Sequence, residues 1–348
     1  MNDDMDIQIK ICSNNEIGQV MKFIDEHWSK GHVLSYSREL VDWQHYNKIE
    51  DHYNFIIAKS NNEILGVLGY IPTYHYDEKL ITNKFIWLVL WKVRDDLNLG
   101  GLGLKLILTI NKIEDTDFIG SVGINDKVWN IYKALGYTVG KLNHYYIVNK
   151  DKTNMQLIDN FNGSYSHNTE IDDDNKQFEL IDKKEFLNIN FQYHNENIMP
   201  YKTIEFYDNR YLKHPFYDYL IYGIKKADEY LGFIVIRKIH QNNTNVLRIV
   251  DYFGDDNLLV GMSNQIQQLL LENDSEYIDF YNYGIEKEKL KDSGFIKHYK
   301  TDSIIVPNYY EPFEKKNVDI NFAYKMKDEF KYYIFKGDCD QDRPNILK

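Results

Sequence analysis

Along the chain, apolar blocks of strand length alternate with segments of helical period. "NFIIAK" and "ILGVLGYIP" flank a Ser-Asn-Asn turn, which predicts a hairpin of Asn54–Lys59 and Ile64–Pro72. "KFIWLVLWKV" predicts a third strand, followed by the paired aspartates Asp95 and Asp96. A glycine turn then leads into an apolar helix from Gly103 to about Lys112. "DFIGSVGI" reads as a strand, "DKVWNIYKAL" as a helix stopped by Gly136, and "HYYIVN" as the closing strand.

The same order returns from Arg210. "YDYLIYGIKKADEYLGFIVIRKI" gives a hairpin, and "NVLRIVDYFGDD" a strand ending in Asp255 and Asp256. "LLVGMSNQIQQLLLE" is a helix, "YIDFYNYG" a strand, and "EKEKLKDSGF" a short helix ended by Gly294. "TDSIIVPNYY" is expected to supply the closing strand. Leu65-Gly66 matches Leu231-Gly232, and the aspartate-to-glycine spacings are nearly equal. The pattern predicts two copies of one mixed α/β unit, over residues 1–150 and 186–348. The polar stretch "NFNGSYSHNTEIDDDNKQ" makes 151–185 an expected linker or exposed loop.

Composition narrows the function classes. The 348 residues carry a formal charge of −12 and no basic run, which sets nucleic acid aside as a partner. Two cysteines, Cys12 and Cys339, make neither a disulfide framework nor zinc spacing. The acidic start "MNDDMDIQ" lacks the apolar core of a signal peptide. The longest apolar run, "FIWLVLW", is far shorter than the roughly 20 residues of a membrane helix. A cytoplasmic protein without membrane attachment is expected. The 29 Tyr and 18 Phe suit aromatic-walled clefts as well as core.

The glycine turn reads Asn98-Leu99-Gly100-Gly101-Leu102-Gly103, continuing into Leu104. A helix that starts there exposes unpaired N–H groups, and glycine lets an anion approach them closely. A tight turn that binds nothing is the alternative. The turn is neither a Walker A loop nor a Rossmann fingerprint. It resembles the Gln/Arg-x-x-Gly-x-Gly/Ala loop of the GNAT acyltransferases, with Asn at its first position. The later stretch Asn125 to Tyr137 resembles that family's Asn-x-x-Ala-x-x-Leu-Tyr-x-Lys-Leu-Gly-Phe, with Asn125, Tyr132 and Gly136 in register and Val128 in place of Ala.

The resemblance implies two tandem GNAT-like domains, each a mostly antiparallel sheet flanked by helices, with one working site for acetyl- or acyl-CoA. In the second copy Gly261 meets Gly101, but Ser263 replaces Gly103, so that copy is expected to be degenerate. By resemblance the coenzyme diphosphate would sit on residues 99–104 and the pantetheine beside Leu90, Trp91, Lys92 and Val93, with Asn125 orienting it. Asn125 as a plain helix N-cap is an equal reading. Tyr132 is implied as the proton donor to the leaving thiolate, against a core tyrosine. His45 and His75 flank the first hairpin and are candidate bases, and a water chain to solvent would serve as well.

The segments before the two hairpins carry Trp43, His45, Tyr46, Arg210, Tyr211, His214 and Tyr217. Aromatic faces and an Arg suit a nucleotide-linked sugar; an aromatic core between packed domains is the equal alternative. "HVLS…LVDWQHYN" and "GDCDQDRPN" are similar to segments of tandem GNAT proteins that N-acylate dTDP-linked amino-deoxy sugars, some with 3-hydroxybutyryl-CoA. A peptide, protein or aminoacyl acceptor, and a CoA-binding protein without catalysis, are the competing readings. Asp338, Asp340 and Asp342 lack the Gly and Glu of a calcium loop, so no metal is expected. The second copy can cover a sheet edge, which favours a monomer.

Overall fold

Two Asn-Asn turns set the hairpins. Asn61 and Asn62 both take positive φ (48° and 65°), and so do Asn242 and Asn243 (51° and 59°). That is the turn whose twist matches antiparallel strands. The computed structural model describes residues 6–116, 118–161, 175–191, 193, 197–327 and 329–347. In the first sheet β1 (Gln8–Ser13), β2 (His52–Ser60), β3 (Glu63–Pro72) and β4 (Ile86–Val93) run antiparallel. Helices α1 (Ile17–Phe23) and α2 (Arg38–His45) fill the chain between β1 and β2. Then follow α3 (Leu102–Glu114), β5 (Ile119–Val122), α4 (Asp126–Ala134), β6 (Thr138–Lys141) and β7 (Asn143–Val148).

The second unit repeats the order. It comprises β8 (Lys176–Ile181), β9 (Tyr219–Lys226), β10 (Glu229–Gln241), β11 (Thr244–Phe253), α5 (Ser263–Glu272), β12 (Ser275–Tyr283), α6 (Lys287–Asp292) and β13 (Ile296–His298). Gly136 and Gly294 end α4 and α6 at φ 81° and 86°. The same bonds close both ends: Tyr137 N–H donates to Tyr132 and Phe295 N–H to Leu290, each at 3.0 Å. The mixed α/β repeat read from the sequence is therefore present in the fold.

The strands trade places between the units. The first sheet runs β1-β2-β3-β4-β5-β14-β6, where β14 is Asn321–Lys325. The second runs β13-β7-β12-β11-β10-β9-β8, with β15 (Ile334–Phe335) also on β12. So β7, expected to close the first unit, pairs with β12 through Tyr146↔Asp279. In its place β14 pairs with β5 through Phe322↔Val122 and with β6 through Phe322↔Gly140. The expected boundary after residue 150 thus does not divide the sheets. "TDSIIVPNYY" is not the closing strand: it holds only a bridge from Ile305 to Asp159 and the short pair Tyr309–Tyr310. The expected linker is also partly structured. Leu157 is buried, Lys176–Ile181 is an edge strand, and residues 162–174 lie outside the described residues.

One apolar cluster spans both units, joining Ile71, Phe85 and Trp87 to Phe186, Phe233 and Val250. Phe322, Tyr332 and Ile334 from the last part of the chain complete it. Among the described residues no helix is long and apolar enough to cross a membrane.

Because each sheet contains a strand from the other half, the two units should unfold together. Phe322 is fully buried, and Phe322→Ala is expected to cost about 3–5 kcal/mol. All five tryptophans precede residue 130, so their fluorescence reports on the first unit while far-UV circular dichroism reports on both. Coincident denaturant midpoints are expected in the parent and the variant; separate midpoints would show that the exchange does not couple the units.

Candidate functional site

Strands β4 and β5 are parallel, and they pair only at Ile86↔Ile119 and Trp87↔Gly120. Beyond Trp87 they part. A bulge then sets Val89 and Leu90 of β4 against Gly69 alone on β3. A cleft of about 670 Å³ opens at this parting, with Leu90, Trp91, Ser121, Asn125, Val128 and Tyr132 on its first-unit wall.

Tyr132, the buried residue of α4, lines the cleft. Its ring lies 5.9 Å from that of Trp91 and 4.9 Å from that of Tyr137. Its hydroxyl lies near Ser121, whose own hydroxyl donates to the Leu88 carbonyl at 2.8 Å. Burial, then the neighbouring Tyr137, push the phenol above its ordinary range, so it holds its proton at neutral pH. Asn125 is the N-cap of α4, accepting from Val128 N–H at 3.0 Å, and it also lines the cleft. Lys92 and Val93 finish β4 opposite Val67 and Gly66, and Lys92 pairs with Asp95.

The glycine turn opens α3. Gly101 sits at φ 78° as N-cap, with no side chain capping the helix. A Cβ on Gly100 or Gly101 would meet open space, whereas one on Gly103 would lie 3.2 Å from the Trp91 ring. Leu102 N–H donates to Leu99, but those of Gly103 and Leu104 find no acceptor among the described residues. The turn is an uncovered set of amides with room in front of Gly100 and Gly101, which suits a diphosphate.

The second unit has the same features, filled. Its bulge is at Val250, whose carbonyl accepts from Gly337 N–H at 2.7 Å. Strand β15 lies on β12 through Asn282↔Phe335 and Tyr283↔Ile334. The chain's own segment therefore occupies the gap that a ligand strand would take. At the matching loop Gly261 repeats the positive φ (75°), but its N–H donates to Asp292, and Lys176 Nζ covers the carbonyls of Leu258 and Val260.

From Gly337 the chain crosses to the first unit. Cys339 Sγ approaches Leu88 O at 3.5 Å, and Gln341 Nε2 donates to Val122 O at 3.0 Å. The three aspartates here each hold a cation. Asp338 takes Lys202 (2.8 Å), Asp340 takes Arg343 (3.2 Å), and Asp342 takes both edges of Arg237 (2.8 and 2.9 Å) plus Tyr219 OH (2.8 Å). Burial opposes the charge of Asp342, but Arg237 outweighs it and holds the carboxyl below its usual range.

The expected acceptor residues are mostly elsewhere. Only Tyr217 lines the cleft, stacked under Arg237 at 4.2 Å. Arg210 is buried, donating to Gly337 O at 2.9 Å between the rings of Trp43 and Tyr211. Tyr211 OH donates to Asp251 at 2.6 Å. His214 Nδ1 accepts from Tyr217 N–H at 2.9 Å and its ring lies 4.4 Å from that of Trp43. Tyr46 points to Asp51 on the outer surface. Trp43, Arg210, Tyr211 and His214 pack together between the units, the alternative reading of that segment. Neither histidine is in the cleft. His45 is fully buried between Gln44 and Tyr70 O, and His75 Nε2 donates to the Trp43 carbonyl at 2.8 Å. A position as cleft base is therefore not what the fold gives them.

The far wall was missed in the sequence. It holds Arg237, Arg248, Asn308, Tyr310 and Lys336. The signal was present for one of them: Arg248 interrupts the apolar run Val246–Val250, and a charge there needs a buried partner. Arg248 has one, a two-edged pair with Asp279 at 2.9 and 2.6 Å.

No family model matches the chain, and no curated protein matches it in sequence. Solved structures match its fold. A GCN5-related N-acetyltransferase from Anabaena variabilis superposes with TM-score 0.54 at 11% identity, covering 91% of this chain and 72% of that one. One from Kribbella flavida gives 0.53 at 10%, covering 92% and 71%. A conserved protein of unknown function from Enterococcus faecalis gives 0.54 at 8%, covering 90% and 71%. The fold is thus that of the GCN5-related N-acetyltransferases across both units.

Burial depresses His45 to a pKa of about 3 and His144 to about 4. Unfolding lets each take a proton below pH 6.5, so stability is full above that value and falls as pH drops toward 4. Each should remove about 1.4 kcal/mol per pH unit in that window. Denaturant titrations at pH 7 and 5 should show the loss, and His45→Gln should flatten the slope.

Proposed function

We propose that the protein is an N-acyltransferase that moves an acyl group from acyl-CoA to the amine of a nucleotide-linked amino sugar. The observation that carries the reading is the open parting of β4 and β5, with Tyr132 on its wall and uncovered amides in the adjoining turn. A bound acyl-CoA supplies the acyl group as a thioester. The amides of Gly103 and Leu104 would take its diphosphate, and the free edge of β4 past Trp87 would pair with its pantetheine amides.

In this reading the neutral amine attacks the thioester carbon, and alignment of the two reactants supplies most of the rate. An N–H at the Val89–Leu90 bulge donates to the developing oxyanion. Tyr132, kept protonated by burial, gives its proton to the leaving sulfur and recovers one through water. The amine's proton leaves through water, since neither His45 nor His75 faces the cleft. Support for a nucleotide-linked acceptor is the second-unit wall, where aromatic Tyr217 and Tyr310 adjoin Arg237 and Arg248. One working coenzyme site is proposed per chain, because Ile334–Gly337 fills the matching gap of the second unit.

The test is a thiol-release assay with acetyl- and 3-hydroxybutyryl-CoA over dTDP- and UDP-amino sugars. Release that requires the amino sugar is expected; release only with lysine peptides would move the acceptor class. Tyr132→Phe should lower turnover about 100-fold with little change in acetyl-CoA affinity. Unchanged turnover removes Tyr132 from the reaction. Gly101→Val, strained at positive φ, should weaken acetyl-CoA binding in calorimetry by about tenfold or more.

A further inference from the structure

Lys336 is 4% exposed and lines the cleft, yet no carboxylate or carbonyl among the described residues takes its ammonium. It follows β15 directly, so the segment that fills the second unit's gap also aims it. Its surroundings make the isolation worse. Arg248 and Arg237 stand near it, and the facing carboxylates, Asp279 and Asp342, are already held by two-edged bonds to those same arginines. The Tyr281 ring lies 5.9 Å away. Asn308 lines the same cleft at 3% exposure, and neither its amide nitrogen nor its amide oxygen has a partner. Its carbonyl accepts from Arg248 at 2.9 Å, so it is fixed in place with its side chain unspent.

An ammonium and an amide left unmatched in one buried wall are costly unless something arrives to meet them. Both arginine forks are occupied, so what remains is a point charge and a neutral donor. We propose that Lys336 and Asn308, backed by Arg248 and Arg237, form a subsite for a phosphate group of the acceptor. The proposal rests on the reading of this cleft as the acceptor site. It adds where the acceptor's phosphate is held: on the second-unit wall of the cleft, at Lys336 and Asn308.

A dependence on pH follows. In the free protein burial, then Arg248, bring Lys336 down to about 7, with Asp342 and Asp279 pulling upward and Arg237 downward. An arriving anion restores the charged form, so binding takes up a proton above that value.

The test is calorimetry with pyrophosphate on protein saturated with CoA, which fills the Gly101 turn first. Binding that persists with CoA bound, and weakens about tenfold or more in Lys336→Met, is expected. Acetyl-CoA affinity should stay within about twofold in that variant, which shows that it folds. Displacement of pyrophosphate by CoA, or equal affinity in parent and variant, overturns the subsite, as does no binding at pH 6. If acetyl-CoA itself does not bind, the proposed function falls, and the comparison of Lys336→Met with the parent still decides the subsite. A second arm needs no variant. Sulfate stays doubly charged from pH 6 to 8.5, and its affinity for the parent should fall roughly tenfold or more over that range; a flat profile counts against Lys336.

Discussion

The molecule depends on a parallel pair of strands that cannot stay together. β4 and β5 share two residue pairs and then diverge, leaving main-chain groups of β4 without a ladder partner. Unpaired backbone in a protein interior has to be met by something. In the first unit Ser121 and Cys339 meet Leu88 O, and the rest of the parting is cleft. In the second unit the chain inserts Ile334–Gly337 into the matching gap. One geometric problem thus has two solutions in one polypeptide, an open one that can receive a ligand and a closed one that builds a wall.

The traded strands bind these solutions together. β14 completes the first sheet, and the same stretch of chain goes on to close the second unit and return under the cleft at Gln341. The buried pairs Arg237–Asp342 and Lys202–Asp338 lie along this path. Buried ion pairs contribute little net stability but are expensive to break, so they fix where the segment lies more than how strongly it is held.

Local features were legible in the sequence. Asn61-Asn62 and Gly136 announce their own backbone conformations, and the loop from Asn98 to Gly103 shows its lack of side chains directly. The order of strands in space was not legible. "HYYIVN" reads as a strand from its alternation, but nothing in it says which sheet it joins, because register across a sheet is a non-local property. The acceptor residues went astray for a related reason. Trp43, Arg210 and His214 look like a ligand wall in sequence, and their stacking against one another is visible only once both units are packed. Lys336 and Asn308 carry no local pattern at all. They matter because of what fails to stand beside them.

The traded strands also order events in time. A chain made from its N-terminus has β1 to β6 long before Asn321–Lys325 exists. During that interval the first sheet has an empty lane between β5 and β6, with Val122 and Gly140 facing no neighbour. A half-built protein emerging from the ribosome therefore presents a sticky groove, the kind of exposed edge that invites mispairing and chaperone attention.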